Sequence, residues 1–165
     1  MAANEEKTIS YGNLKNRAVF AARNFWSGFL FGVGIMAFGI GTVFHQLLQW
    51  HHFYDLSNEE TGIFSDGMLN LFAWIATVSG LFLLSSLRKR KALWPKRWVG
   101  SALMGSGFYL LFDGLIVHKL LKIHQIRYDY EVFPYDVAWI AGGAVFSLTG
   151  LVMVLQTKKE NHRKQ

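Results

Sequence analysis

Cysteine is absent from this chain, so disulfides, thiolate-held metals, iron–sulfur clusters and cysteine nucleophiles are all excluded. Any metal would have to be held by nitrogen, oxygen or thioether sulfur. Charge is scarce as well: 17% of the 165 residues are Asp, Glu, Lys or Arg, against about 25% in a soluble domain. No phosphate-binding glycine loop is present, because the glycines fall at helix-packing intervals, and no Ser-His-Asp order with a nucleophile elbow appears. Nothing therefore marks the chain as an enzyme, and no catalytic residue is assigned. A cleavable signal peptide is not expected either. The first 24 residues are polar, and the apolar run after them is longer than the ~7–15 residues of a signal h-region.

What is present is apolar. Four stretches, 25–50, 67–87, 99–118 and 137–157, contain a single charged residue between them, Asp113. Each is near or above the ~20 residues that a helix needs to cross ~30 Å of hydrocarbon. Their glycines suit close packing in lipid: Gly28 with Gly32, Ala37 with Gly41 and Ser101 with Gly105 make small-xxx-small pairs. The expected fold is an all-α integral membrane protein of four transmembrane helices. The expected divisions are an N-terminal segment 1–24, a first helix pair 25–87, a basic loop 88–98, a second helix pair 99–157 and a basic tail 158–165.

The net charge of +6 does not signal nucleic-acid binding, because of where the charges sit. Lys7, Lys15, Arg17 and Arg23 precede the first stretch; Arg88, Lys89, Arg90, Lys91, Lys96 and Arg97 lie between the second and third; Lys158, Lys159, Arg163 and Lys164 follow the fourth. Loop 51–65 has no lysine or arginine. The segment between the third and fourth has three, Lys119, Lys122 and Arg127, against the 14 on the opposite side. The positive-inside rule then puts both termini in the cytoplasm and these two loops outside. Trp26, Trp94 and Trp98 would mark the inner interface, and Trp50, Tyr54, Tyr128, Tyr130 and Tyr135 the outer one.

The chain repeats itself. A shift of 73 positions aligns Gly34 with Gly107, Gly41 with Gly114, His45 with His118, Leu48 with Leu121 and His51 with His124. After a gap of three, Asp66 meets Asp136 and Gly80 meets Gly150. Each half is a helix, an outer loop and a returning helix. The copies therefore share one orientation, as parallel repeats about a pseudo-two-fold axis along the membrane normal. The halves differ where Asp113 matches Ile40 and where His52 matches Gln125.

VFHQLLQWHH in the first half and DGLIVHKLLKIHQ in the second resemble a family of small bacterial membrane proteins. That family is catalogued as domain of unknown function twenty-two forty-three. The resemblance covers about residues 27–155. It implies a bacterial cytoplasmic membrane location, no established activity, and a setting beside cytochrome oxidase and its copper-assembly factors. Two positions depart from the family pattern: Ile40 stands where an acid is expected, and Asn70 where a histidine is expected.

Five of the six histidines lie near the outer interface: His45, His51, His52, His118 and His124. The sixth, His162, falls in the charged tail and reads as solvated. Ionisable groups at membrane depth are expensive and usually face the bundle interior. On an α-helix His45, Gln49 and His52 would share a stripe. Asp66 and Asp136 would begin the returning helices, where each could be a simple N-cap or a metal ligand. Asp113, five residues before His118, would lie elsewhere on its helix, as a deeper partner, a proton-relay group or an ion-pair partner of Lys122. The expected site is centred on His45 and His118, with His51, His52, His124, Asp66 and Asp136 as ligands or their supports. Such donors suit Cu(II), Zn(II), Fe(II) or Mn(II), and among these the family resemblance implies copper, with zinc or iron as alternatives.

Other readings compete. His45 and His118 could ligate a haem between them, lined by Phe38, Phe44, Phe108, Tyr109 and Phe112. A di-iron oxidase would need more histidines, in HxxxH or HxxHH spacing and on the cytoplasmic side. A transporter would need a polar path, and Asp113 is the only charge at depth. As a structural subunit, the protein would offer its glycine-rich faces to a second copy or to a respiratory-complex partner. The histidines could also merely hydrogen-bond backbone or lipid headgroups.

Overall fold

A computed structural model describes residues 2–162, with side chains over 16–157. Lys7, Lys15, Lys158, Lys159, His162, Arg163 and Lys164 have side chains outside that described range. Helix α1 spans Ala2–Ile40 and runs on into a π-helical segment, Gly41–Leu47. Helix α2 spans Glu59–Lys89; α3 spans Pro95–Leu111 and continues into a second π segment, Phe112–Leu121; α4 spans Phe133–His162. Among the described residues, four helices are long and apolar enough to cross a membrane, over Asn16–Leu47, Glu59–Lys89, Pro95–Leu121 and Phe133–Thr157.

Local chemistry explains the helix starts. Asn58 caps α2 by accepting the Thr61 N–H at 3.0 Å, and Glu59 and Glu60 sit in the first turn, where the helix dipole favours anions. Pro95, which has no N–H to lose, opens α3. Helix α2 thus begins eight residues earlier than the apolar run at 67, and the turn between α2 and α3 is shorter than the expected 88–98 loop. Asn24 pins that turn: its side chain accepts the Trp94 N–H at 2.8 Å and donates to the Ala92 carbonyl at 2.9 Å.

The helices stand in a row, α2–α1–α3–α4. The central pair α1 and α3 pack on each other, and α2 and α4 each flank one of them without touching across. Close approach of the central pair depends on glycine. A Cβ on Gly32 would stand 1.9 Å from the Ala102 carbonyl oxygen, and one on Gly105 would stand 2.1 Å from that of Phe29. No side chain fits there. The shift of 73 exchanges these two contacts, so a pseudo-two-fold axis runs between α1 and α3. Flanking contacts obey the same rule, with Gly34 against Thr77 of α2 and Gly107 against Ser147 of α4. Val33, Ala37, Ile40, Leu69, Ala73, Tyr109 and Leu110 form the apolar core. The outward faces of α2 and α4 present Phe72, Trp74, Phe82, Val145 and Leu148, as lipid contact requires.

A candidate metal centre at the loop end of the bundle

The two π segments lie at matching places in the repeat and carry His45 and His118. A π-helix hydrogen-bonds i to i+5, so residues five apart come onto one face. This brings the Asp113 carboxylate to 3.3 Å from His118 Nε2. Asp113 is therefore not elsewhere on its helix, as α-helical periodicity implies, but faces the histidines. The α-helical stripe through His45, Gln49 and His52 does not form either. The first π segment ends at Leu47, Gln49 takes φ 50°, and its repeat partner Lys122 also takes φ 50°. The chain turns sharply at both points and carries His51, His52 and His124 in loops.

Asp66 is not an N-cap, because Asn58 starts the helix and leaves Asp66 two turns inside it. Its buried carboxylate is a hub. Oδ1 accepts the His45 Nδ1–H at 2.8 Å and the Phe53 N–H at 2.7 Å, and Oδ2 accepts the His52 Nδ1–H at 2.7 Å. Asp136, in the first turn of α4, is arranged differently. Lys119 takes its Oδ2, and Oδ1 stands 4.0 Å from His118 Nδ1.

The remaining bonds cross between the halves. His51 donates Nδ1–H to the Ile126 carbonyl at 2.9 Å, and His124 donates Nδ1–H to the Phe53 carbonyl at 2.8 Å. In each case the acceptor lies two residues beyond the other half's histidine. The two rings stack at 4.5 Å with 11° between planes, on the pseudo-axis. Burial, together with His124, His45 and His118 nearby, pushes the His51 pKa down to about 2. Burial and the neighbouring His118 and His45 bring His124 down to about 4, with Asp113 opposing them. Both rings are neutral at ordinary pH.

These bonds fix tautomers. With Nδ1–H given to Asp66, Ile126 and Phe53, the rings of His45, His51 and His124 each keep an Nε2 lone pair. One ligand nitrogen from each of the three lies within 4.8 Å of the others. Asp113, His118 and His124 form a second such group, all buried. His118 Nε2 and His124 Nε2 are 3.0 Å apart, which requires one proton between them. His124 carries its proton on Nδ1, so His118 donates from Nε2. His118 Nδ1 is then a lone pair facing Asp136 Oδ1, and both atoms are buried without a hydrogen-bond partner.

The structure brings His45, His51, His118, His124 and Asp113 together, with Asp66 and Asp136 directly behind. His45 and His118 belong to different ligand groups. His52 binds Asp66 from the rim, its side chain 31% exposed, and joins neither group. Asn70, one turn below Asp66, has a buried Oδ1 without a partner. His51 lies 4.6 and 6.5 Å from the His45 and His118 rings, and His124 lies 5.9 and 4.7 Å from them, ring centre to ring centre. Sequence reasoning missed the carbonyls of Phe53 and Ile126 and the ammonium of Lys119. Residues 53 and 126 are related by the shift of 73.

Duplicated helix pair, lipid-facing flanks and buried polar cluster together define a multi-pass helical membrane protein. The chain belongs to the family described as "Predicted membrane protein (DUF2243)", whose model matches residues 27–157. No curated protein and no solved structure matches it.

Proposed function

We propose that this protein binds a transition metal at the outer face of the bacterial cytoplasmic membrane, with copper the favoured ion. One observation carries the reading: three buried imidazoles, His45, His51 and His124, bring a ring nitrogen each within 4.8 Å of one another, and each Nδ1–H is already held by a fixed acceptor. Histidine ligands in metal sites are oriented in this way by a carboxylate or carbonyl behind the ring. An all-imidazole set with a nearby carboxylate and no thiolate suits copper or zinc. The basic residues gathered at the opposite end support the outer-face placement, and the family resemblance suggests the bacterial cytoplasmic membrane. Copper handling during assembly of respiratory oxidases is the role that the family resemblance suggests.

The test is metal content. Protein purified in detergent and incubated separately with copper, zinc and iron salts would be measured by mass spectrometry, beside His51→Ala/His124→Ala. Near-stoichiometric metal in the wild type and none in the variant is expected. A wild type that retains no metal would overturn the reading, and a Soret band would replace it with haem.

A further inference from the structure

Building on that metal-binding reading, we propose that the cluster offers a single ion two mutually exclusive stations that share the His124 Nε2 lone pair. The first, His45/His51/His124, is a neutral three-imidazole station for a monovalent ion such as Cu(I) or Ag(I). The second, Asp113/His118/His124, is an anionic station for a divalent ion such as Zn(II) or Cu(II).

Exclusivity follows from the donor inventory. His124 gives Nδ1–H to the Phe53 carbonyl, so it has one lone pair to offer, and both ligand groups need it. Charge separates the stations. Ions buried in apolar surroundings need compensation. At the first station all three ligands are neutral imidazoles, with Asp66 bonded to His45 from behind and no carboxylate in the ligand group. A divalent ion gains more from the carboxylate that points directly into the second station, Asp113, 3.3 Å from His118 Nε2 and 3.9 Å from His124 Nε2. Asp136 stands behind His118 as a further acceptor. Repeat symmetry sharpens the contrast, because the partner of Asp113 is Ile40 and the first half has no acid at that place.

The stations also differ in what they ask of His118, whose Nε2–H now occupies the His124 lone pair at 3.0 Å. For the first station that N–H has only to turn to Asp113 Oδ2, 3.3 Å away. The second uses His118 Nε2 itself, so its proton must leave for Nδ1, where Asp136 Oδ1 waits unpartnered at 4.0 Å. No proton is lost: the N–H that faces His124 is replaced by one that faces Asp136. Asp136 is thus a positioning residue for the second station alone.

Ag(I), as a redox-inert monovalent probe, and Zn(II) would be titrated calorimetrically into the detergent-purified full chain. The wild type is expected to take one ion per chain, with Ag(I) and Zn(II) displacing each other. Asp113→Asn and Asp136→Asn should each weaken Zn(II) by about tenfold or more while leaving Ag(I) within roughly threefold. His45→Gln should do the reverse, and His124→Gln should weaken both. Retained Ag(I) binding in the aspartate variants shows that they are folded. Simultaneous binding of both ions, or equal losses for both ions in Asp113→Asn and His45→Gln, would overturn the two-station proposal alone. A wild type that binds neither ion would overturn the metal-binding reading together with it.

Discussion

Removing the Asp66 carboxylate tests the logic of the site most directly. In Asp66→Ala three donors lose their acceptor: His45 Nδ1–H, Phe53 N–H and His52 Nδ1–H. His52 is partly exposed and can turn to water. The His45 ring is buried and cannot, and leaving that donor unpaired costs about 1–3 kcal/mol. At about 2–4 °C per kcal/mol for a chain of this size, even the lower bound gives a fall of ~2 °C in melting temperature. Asp66→Asn separates stability from affinity. Its amide oxygen still accepts from His45 and Phe53, so most of the stability remains. The charge that raises His45 basicity is lost, and metal affinity should drop about 10–100-fold. The readouts are a thermal melt followed by circular dichroism in detergent and a metal titration on the same samples. An Asp66→Ala protein melting within ~1 °C of wild type would refute the hub role, given the costs above. So would an Asp66→Asn variant as unstable as Asp66→Ala.

Other outcomes follow from packing, charge and topology. Gly32→Ala drives a methyl into the Ala102 carbonyl and should cost about 1–3 kcal/mol in a melt. Gly39→Ala, with nothing within 4 Å of the new methyl, should be neutral or slightly stabilising, and equal losses would contradict the glycine-mediated approach of α1 and α3. Folded His51 and His124 stay neutral down to about pH 2 and about pH 4, whereas the unfolded rings protonate below about pH 6.5. The unfolded state therefore binds more protons as pH falls. Stability should be flat above about pH 7 and decline below about pH 6, approaching 1.4 kcal/mol per pH unit for each ring. A melting point that rises on acidification would be inconsistent with this, and His51→Gln should flatten the decline. Because the chain has no cysteine, Ser57→Cys and Lys91→Cys can be labelled in intact cells with an impermeant maleimide. Ser57→Cys should react and Lys91→Cys should not, and the opposite pattern would invert the orientation.

Much of the architecture was legible in the sequence because lipid imposes few solutions. Uncharged runs of sufficient length become helices, and the 73-residue shift gave the pseudo-axis through Gly32, Gly105, His51 and His124. Helix starts were less legible. Asn58 and Pro95 nucleate helices in polar sequence that hydropathy ignores, so Asp66 ended up inside α2 and not at its cap. The site was legible in its members but not in its grouping. His45 and His118 are the most visible matched pair, yet they fall in different ligand sets, because two π segments rotate the residues after them. Nothing in the residue spacing announces a π turn. It places Asp113 beside His118 only once i+5 replaces i+4 as the helical neighbour. Backbone carbonyls of Phe53 and Ile126 complete the cluster, and such groups are the same in every sequence.

The hydrogen bonds exchanged between His51 and Ile126 and between His124 and Phe53 have a consequence for descent. Neither helix pair alone can hold its own loop histidine, since the acceptor belongs to the other pair. A free-standing two-helix progenitor would have had to meet its twin to build this cluster, and a twin must carry every residue in duplicate. Joining the copies in one chain removes that obligation. The two sides were then free to differ: one has Asp113 where the other has Ile40, and one sets Lys119 on Asp136 while the other gives Asp66 to His52.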